Sequence, residues 1–165
     1  MASAAVLRPA VHDDVEGLLA FDITVVVRTR DDWAAAIDKA ARGERLLLVA
    51  EVEGVIAAFA QAHRLEQHPD DAAPAGWYLT GVTVLPLYRR AGLARRLTTA
   101  RLAWIFARAD ESWYFANAQN TASIDLHTQL GFTEVARAAA IHGVRFDGGE
   151  GILFRRGATD PSTFG

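Results

Sequence analysis

The chain has 165 residues, of which 51% are apolar and 22% charged, and a net charge of −3. That composition describes a folded domain with its own core, and the negative balance argues against nucleic acid as a general partner. With no cysteine, a disulfide, a thiol nucleophile and a thiolate zinc site are excluded, and the chain suits a reducing cytoplasm.

Charges at Arg8, His12, Asp13, Asp14 and Glu16 interrupt the first thirty residues, so neither a signal peptide nor a membrane span is expected there. Ala5 to Arg8 reads as a short strand. "HDDVEGLLAFD" follows with an acidic first turn and apolar residues at helical spacing. "RDDWAAAIDKAARGE" is a second helix with Trp33, Ile37 and Ala41 on one face and Gly43 as its stop. "RLLLVAEVEGVIAAFAQAHRL" then holds two apolar runs joined at Glu53 and Gly54, the pattern of a tight β-hairpin.

A loop rich in Pro, Asp and Ala runs from Gln67 to Gly76, and "WYLTGVTVL" is a strand whose interior Gly81 marks a bulge or a close backbone approach. From Gly92, the residues Leu93, Leu97, Ala100 and Trp104 recur at spacings that predict a helix to about Arg108, with Arg101 and Arg108 read as part of its solvated face. "SWYFAN" is a strand, "TASIDLHTQLG" a helix ended by Gly131, and "FTEVARAAAI" and "GEGILFRR" the last two strands. Residues after about Arg156 are expected to fray. The order β-α-α-β-β-β-α-β-α-β-β predicts one α/β domain over residues 1–165, a mixed sheet with helices on its faces.

A strand ending near Leu85, a turn with Pro86 and Gly92, and a helix opening at once place unpaired backbone N–H groups at one point. Such a point binds anions, and Arg89, Arg90, Arg95 and Arg96 add positive charge beside it. On the later helix Asn120, Ser123 and His127 fall within an arc of about 60° at ~3.6 residues per turn. His12, His68 and His142 have no metal-ligand spacing, so no metal is expected.

The hexapeptide "RRAGLA", Arg89 to Ala94, with "VLPLYR" leading into it and "NTASIDLHTQLGF" following from Asn120 to Phe132, resembles the pyrophosphate loop and the asparagine-to-LGF helix of the GCN5-related N-acetyltransferases (GNAT). The resemblance covers Trp77 to Ala136 well. It implies a central, mostly antiparallel mixed sheet of about six to seven strands flanked by about four helices. It also implies acetyl-coenzyme A as cofactor, held by Arg89, Arg90, Ala91, Gly92, Leu93, Ala94 and Arg95, by the backbone of Val82 and Val84, and by Asn120 and Ser123.

By the same resemblance the side chain at position 127 approaches the sulfur. Histidine stands there where tyrosine is the commoner residue, as in aminoglycoside and phosphinothricin acetyltransferase-like branches, and His127 is the expected proton donor to the departing thiolate. "WYLTGVTVL" offers no carboxylate base, which leaves Tyr78, Thr80, His63 and His142, with Tyr78 paired to His127 as the catalytic expectation. Phe21, Trp33 and Trp77 are expected walls of an acceptor pocket placed between the first two helices and the strand from Gly151 to Arg155. The expected reaction moves acetyl to a primary amine of a small molecule, aminoglycoside-like, by direct attack. The cationic acceptor rests on Glu66, Asp70 and Asp71. An acyl-coenzyme A sensor without turnover and an enzyme acting on a protein amine are the alternatives. The partner expectations exclude nucleic acid and membrane and allow a homodimer.

Overall fold

The computed structural model describes residues 4–21 and 28–161. A seven-stranded sheet carries the order β1-β2-β3-β4-β5-β9-β6. Its strands are β1 (Val6–Pro9), β2 (Arg45–Val52), β3 (Val55–Leu65), β4 (Gly76–Val84), β5 (Glu111–Asn117), β6 (Thr133–Ala138) and β9 (Gly151–Gly157). The helices are α1 (Val15–Leu19), α2 (Arg30–Ala41), α3 (Leu93–Phe106) and α4 (Thr121–Gln129). β4 and β5 run parallel through the single register pair Tyr78–Trp113, whereas β1/β2, β5/β9 and β6/β9 are antiparallel, so the sheet is mixed.

The chain divides into two compact units, residues 1–62 with 81–101 and residues 63–80 with 102–165, so β3, β4 and α3 each contribute to both. In the first unit Phe21 and Trp33 meet Phe59 edge-on at ring centroid distances of 5.0 and 5.2 Å, and Leu18, Ile37, Leu47 and Val49 are among the residues buried with them. The Glu53-Gly54 turn takes φ of 50° and 81°, the left-handed pair that a two-residue hairpin between β2 and β3 requires. Thr29 caps α2, its hydroxyl accepting from Asp32 N at 3.1 Å while the Asp32 carboxylate accepts from Thr29 N at 2.7 Å. Arg8 ties β1 down: its guanidinium donates to both oxygens of Asp14 at 2.7 and 2.8 Å and to Glu51 on β2 at 2.7 Å.

In the second unit Tyr78, Trp113, Ile141 and Leu153 form the buried cluster, with Ala73 of the loop before β4. β6 bulges between Glu134 and Ala136 where it pairs with β9. The strand predicted from "FTEVARAAAI" extends to Ile141. The structure ends β6 at Ala138 and spends Ala140–Ile141 as β7 in a small hairpin with β8 (Val144–Arg145), because His142 and Gly143 take left-handed φ of 47° and 73° and reverse the chain. β9 runs to Gly157, and residues 162–165 of the expected frayed end lie outside the described residues. Among the described residues no helix is long and apolar enough to cross a membrane.

Candidate active site

β4 leaves the sheet at Leu85, whose N–H still donates to Ala57 O of β3 at 2.9 Å. A 3-10 turn over Pro86–Tyr88 redirects the chain, and Arg89 curls back so that its Nε donates to Val84 O at 3.1 Å. Arg90 and Gly92 both take positive φ, 64° and 80°, and bring the chain straight into α3. Arg96 N donates to Gly92 O at 3.0 Å, the first bond of the helical ladder, so the amides of Leu93, Ala94 and Arg95 have no acceptor within the helix. A Cβ built on Gly92 would meet no protein atom within 4 Å. Leu93 and Leu97 anchor the helix in the core and leave its open end outward.

The arginines of this turn divide by role. Arg89 and Arg90 are exposed, whereas Arg96 donates to Ala5 O at 3.0 Å and fastens α3 beside β1. Arg101, expected on a solvated face, is 1% exposed. Its guanidinium donates to the main-chain carbonyls of Gln61 on β3 at 2.9 Å and Gly81 on β4 at 3.2 Å, and to Thr98 Oγ1 at 2.9 Å. The interior glycine of β4 thus sits where two adjacent strands direct carbonyls at one buried cation, and Val82 and Val84 continue from it half-buried.

In the other unit, Asn120 caps α4, its Oδ1 accepting from Ser123 N at 3.4 Å. Ser123 Oγ makes a short hydrogen bond with the Tyr114 hydroxyl of β5. His127 is 1% exposed, its ring lies parallel to the Tyr114 ring at a centroid distance of 3.5 Å, and its Nδ1 donates to Ser123 O at 2.8 Å. A carbonyl only accepts, so Nδ1 carries a proton. The structure therefore gathers Ser123 and His127 around Tyr114, a residue that sequence reasoning missed because alternation along a strand reports only burial.

Tyr78 is fully buried, its hydroxyl donating to Pro74 O at 2.7 Å; burial, with the charges of Asp71 and Glu111, lifts its pKa far above the ordinary phenol value. His142 packs edge-on against it at 4.6 Å, and burial lowers its pKa, leaving the ring neutral at neutral pH. His63 of β3 is half-buried with Nδ1 hydrogen-bonded to the Thr80 hydroxyl of β4. Of the expected pocket walls, Phe21 and Trp33 are core residues against Phe59, and Trp77 is half-buried edge-on to Trp104 at 5.0 Å. Asp71, one of the acidic groups read as attracting a cation, accepts from Ala73 N and Gly143 N, both at 3.0 Å; burial pushes its pKa up, but these bonds together with the His68 charge and the His142 backbone hold it below the ordinary value.

The sequence matches the model of the Acetyltransferase (GNAT) family over residues 14–132. The chain belongs to that family. It is an acetyltransferase, and the match takes in the whole run from Asp14 through β4, the turn and α4 to Phe132. Among solved structures, an N-acetyltransferase from Staphylococcus aureus Mu50 superposes with a TM-score of 0.75 at 22% identity, covering 94% of this chain and 99% of that one. A phosphinothricin acetyltransferase from Sinorhizobium meliloti in complex with acetyl-coenzyme A gives 0.72 at 18% identity, covering 98% and 95%. A ribosomal-protein-alanine N-acetyltransferase from Brucella melitensis gives 0.73 at 19%, covering 92% and 99%. At these identities the likeness is one of fold. No curated protein matches the sequence.

Proposed function

We propose that the chain transfers an acetyl group from acetyl-coenzyme A to a primary amine of a small molecule by direct attack, with no covalent enzyme intermediate. The carrying observation is the turn between β4 and α3. It presents the amides of Leu93, Ala94 and Arg95, positive charge at Arg89 and Arg90, and open space at the position of a Gly92 Cβ. These features fit a pyrophosphate, which needs backbone donors, a helix N-terminus and room for close approach. Arg89, Arg90, Ala91, Gly92, Leu93, Ala94 and Arg95 would hold it, with the backbone of Val82 and Val84 along the acyl arm. Asn120 and Ser123 of α4 complete the assignment.

When bound, acetyl-coenzyme A supplies an acetyl carbon activated as a thioester. In the transfer a C–N bond forms, the C–S bond breaks, and one amine proton is passed on so that the thiol leaves neutral. The group on this chain best suited to accept that proton is His63: it is half-buried, titratable, and oriented by Thr80 of β4. Tyr78 spends its hydroxyl on Pro74 O, and His142 is enclosed between Tyr78 and the loop carbonyl. His127, buried against Tyr114, we assign to orienting α4 and its Ser123.

The test is thiol release from acetyl-coenzyme A across a panel of small amines, run beside peptides with free N-termini. Turnover confined to peptides would move the acceptor to a protein amine, and thioester binding without any thiol release would make the chain a sensor. His63→Gln is expected to lower kcat by roughly 10²–10⁴ and to flatten the acid limb of the pH–rate profile while leaving acetyl-coenzyme A affinity unchanged.

A further inference from the structure

In the first compact unit a cavity of about 320 Å3 is lined by Arg28, Asp32, Ala35, Ala36, Lys39 and Arg45. Three of these six side chains are cationic. The lone carboxylate, Asp32, accepts from Thr29 N at the start of α2 and also answers part of the charge of Arg28, which leaves Lys39 and Arg45 as the cations without a close anion. Arg45 opens β2 half-buried; one end of its guanidinium donates to the Gln61 side chain on β3, and its buried Nε has no hydrogen-bond partner. Arg28 lies over the Trp33 ring at 4.9 Å. Among the described residues no carboxylate lies within 4.0 Å of a charged nitrogen of Arg28, Lys39 or Arg45.

Arg45, half-buried and with no carboxylate close to it among the described residues, is an unfavourable arrangement unless something supplies a counter-charge. Burial, with the like charge of Arg28, draws the Arg45 pKa down to about 10, and burial also lowers that of Arg28. Another cavity of the same unit shows the contrast. There Arg8 is enclosed by Asp14 and Glu51, and its positive charge is already answered. The Arg28–Lys39–Arg45 cavity has the size of a small-ligand site, and its guanidinium groups offer planar forks suited to a carboxylate or phosphate oxygen pair.

We infer that this cavity seats an anionic group, a carboxylate or phosphate, carried by the amine that the enzyme acetylates. The inference rests on the acetyl-transfer reading for its link to the acceptor. That link is spatial: Arg45 holds the Gln61 side chain, and the Gln61 carbonyl shares the Arg101 guanidinium with Gly81 of β4, where the cofactor segment Val82–Val84 begins. β2 and β4 flank β3, which separates them by two strand spacings, about 10 Å. The acceptor is therefore an amine with an anionic group several bonds away, opposite in charge to the aminoglycoside-like amine expected from Glu66, Asp70 and Asp71.

Two measurements test this on the full chain. Inorganic phosphate and succinate, titrated by NMR, are expected to perturb the amides around Arg28 and Arg45 saturably. The response should fall at least tenfold in Arg45→Gln and in Arg28→Gln, and persist in Arg108→Gln, which alters an exposed arginine stacked on Trp104. Removing Arg45 relieves a repulsion, so its variant is expected to fold, with thermal stability equal to or above the parent. In the second measurement 6-aminohexanoate is compared with n-hexylamine as acceptor. A preference of at least tenfold in kcat/KM for the anionic amine, carried mainly by KM and reduced to threefold or less in Arg45→Gln, is expected. An unchanged phosphate response in both arginine variants overturns the site, and a preference that survives Arg45→Gln overturns its link to the acceptor. If neither amine is acetylated while other small amines of the panel are, the link to the acceptor is overturned; if no small amine is acetylated, the small-molecule reading fails and the titration still decides the anion site.

Discussion

Gly92 holds a φ of 80° with nothing of the protein near its missing Cβ, so a side chain there is resisted by the backbone and by whatever ligand lies in front of it, never by the core. Gly92→Ala should cost about 1–2 kcal/mol of stability for the left-handed conformation. Gly92→Val should add to that a loss of at least tenfold in acetyl-coenzyme A affinity by calorimetry; a folded Val variant with parental affinity would remove the turn from the cofactor site. His127 is a residue whose type was legible and whose surroundings were not. Spacing put it on one helix face with Asn120 and Ser123, but only the fold shows that this face is covered by the Tyr114 ring. As an orienting group, His127→Ala should lose roughly 2–5 kcal/mol by differential scanning calorimetry, the range for emptying a large buried site. His127→Phe keeps a ring against Tyr114, so it should recover part of that loss and retain kcat within tenfold. A drop of 10²–10⁴ in the Phe variant would instead restore the proton-donor role.

Elements differ in how openly the sequence announces them. The β2–β3 hairpin was legible because Glu53-Gly54 sits between two apolar runs, and α2 because Trp33, Ile37 and Ala41 share one face and Gly43 ends the run; its Thr29 cap came only with the structure. α3 was legible in extent yet misread on one face: an arginine within an amphipathic pattern looks solvated, and Arg101 is buried because carbonyls of two strands await it. The β7–β8 hairpin escaped because His142-Gly143 lacks the Asn-Gly signature that marks such turns. β1 offers a test at this scale, since it is four residues long and tied by Arg8 to Asp14 and Glu51. The Arg8 guanidinium, aided by Val11 N, holds the Asp14 carboxyl below the ordinary carboxylate range in spite of burial. A depressed carboxylate pKa contributes stability that is present above the unfolded value near 3.9 and lost as pH falls through the folded value. Thermal midpoints should therefore fall as the pH drops below about 4 in the parent. Asp14→Asn should melt lower at pH 7 and show a shallower decline over that acid range; parallel curves would mean that the ion pair adds nothing.

For the molecule as a whole, net charge conceals where charge is gathered. A chain of −3 carries one cationic group at the β4–α3 turn and another in the cavity beside α2. The first was readable because backbone chemistry demands glycine next to it. The second was not, because Arg28, Lys39 and Arg45 are separated in sequence and meet only when α2 folds over β2. Trp33 gives that second group an optical use. Its indole is 1% exposed, wedged against Phe59, and lies under the Arg28 guanidinium at 4.9 Å. The emission energy of an excited indole follows the electric field across its ring, and a fixed cation on one face sets much of that field. An anion seated on Arg28 would offset the field without touching the ring. The difference between the emission of the parent chain and that of Trp33→Phe would then register occupancy of the cavity, with no label attached.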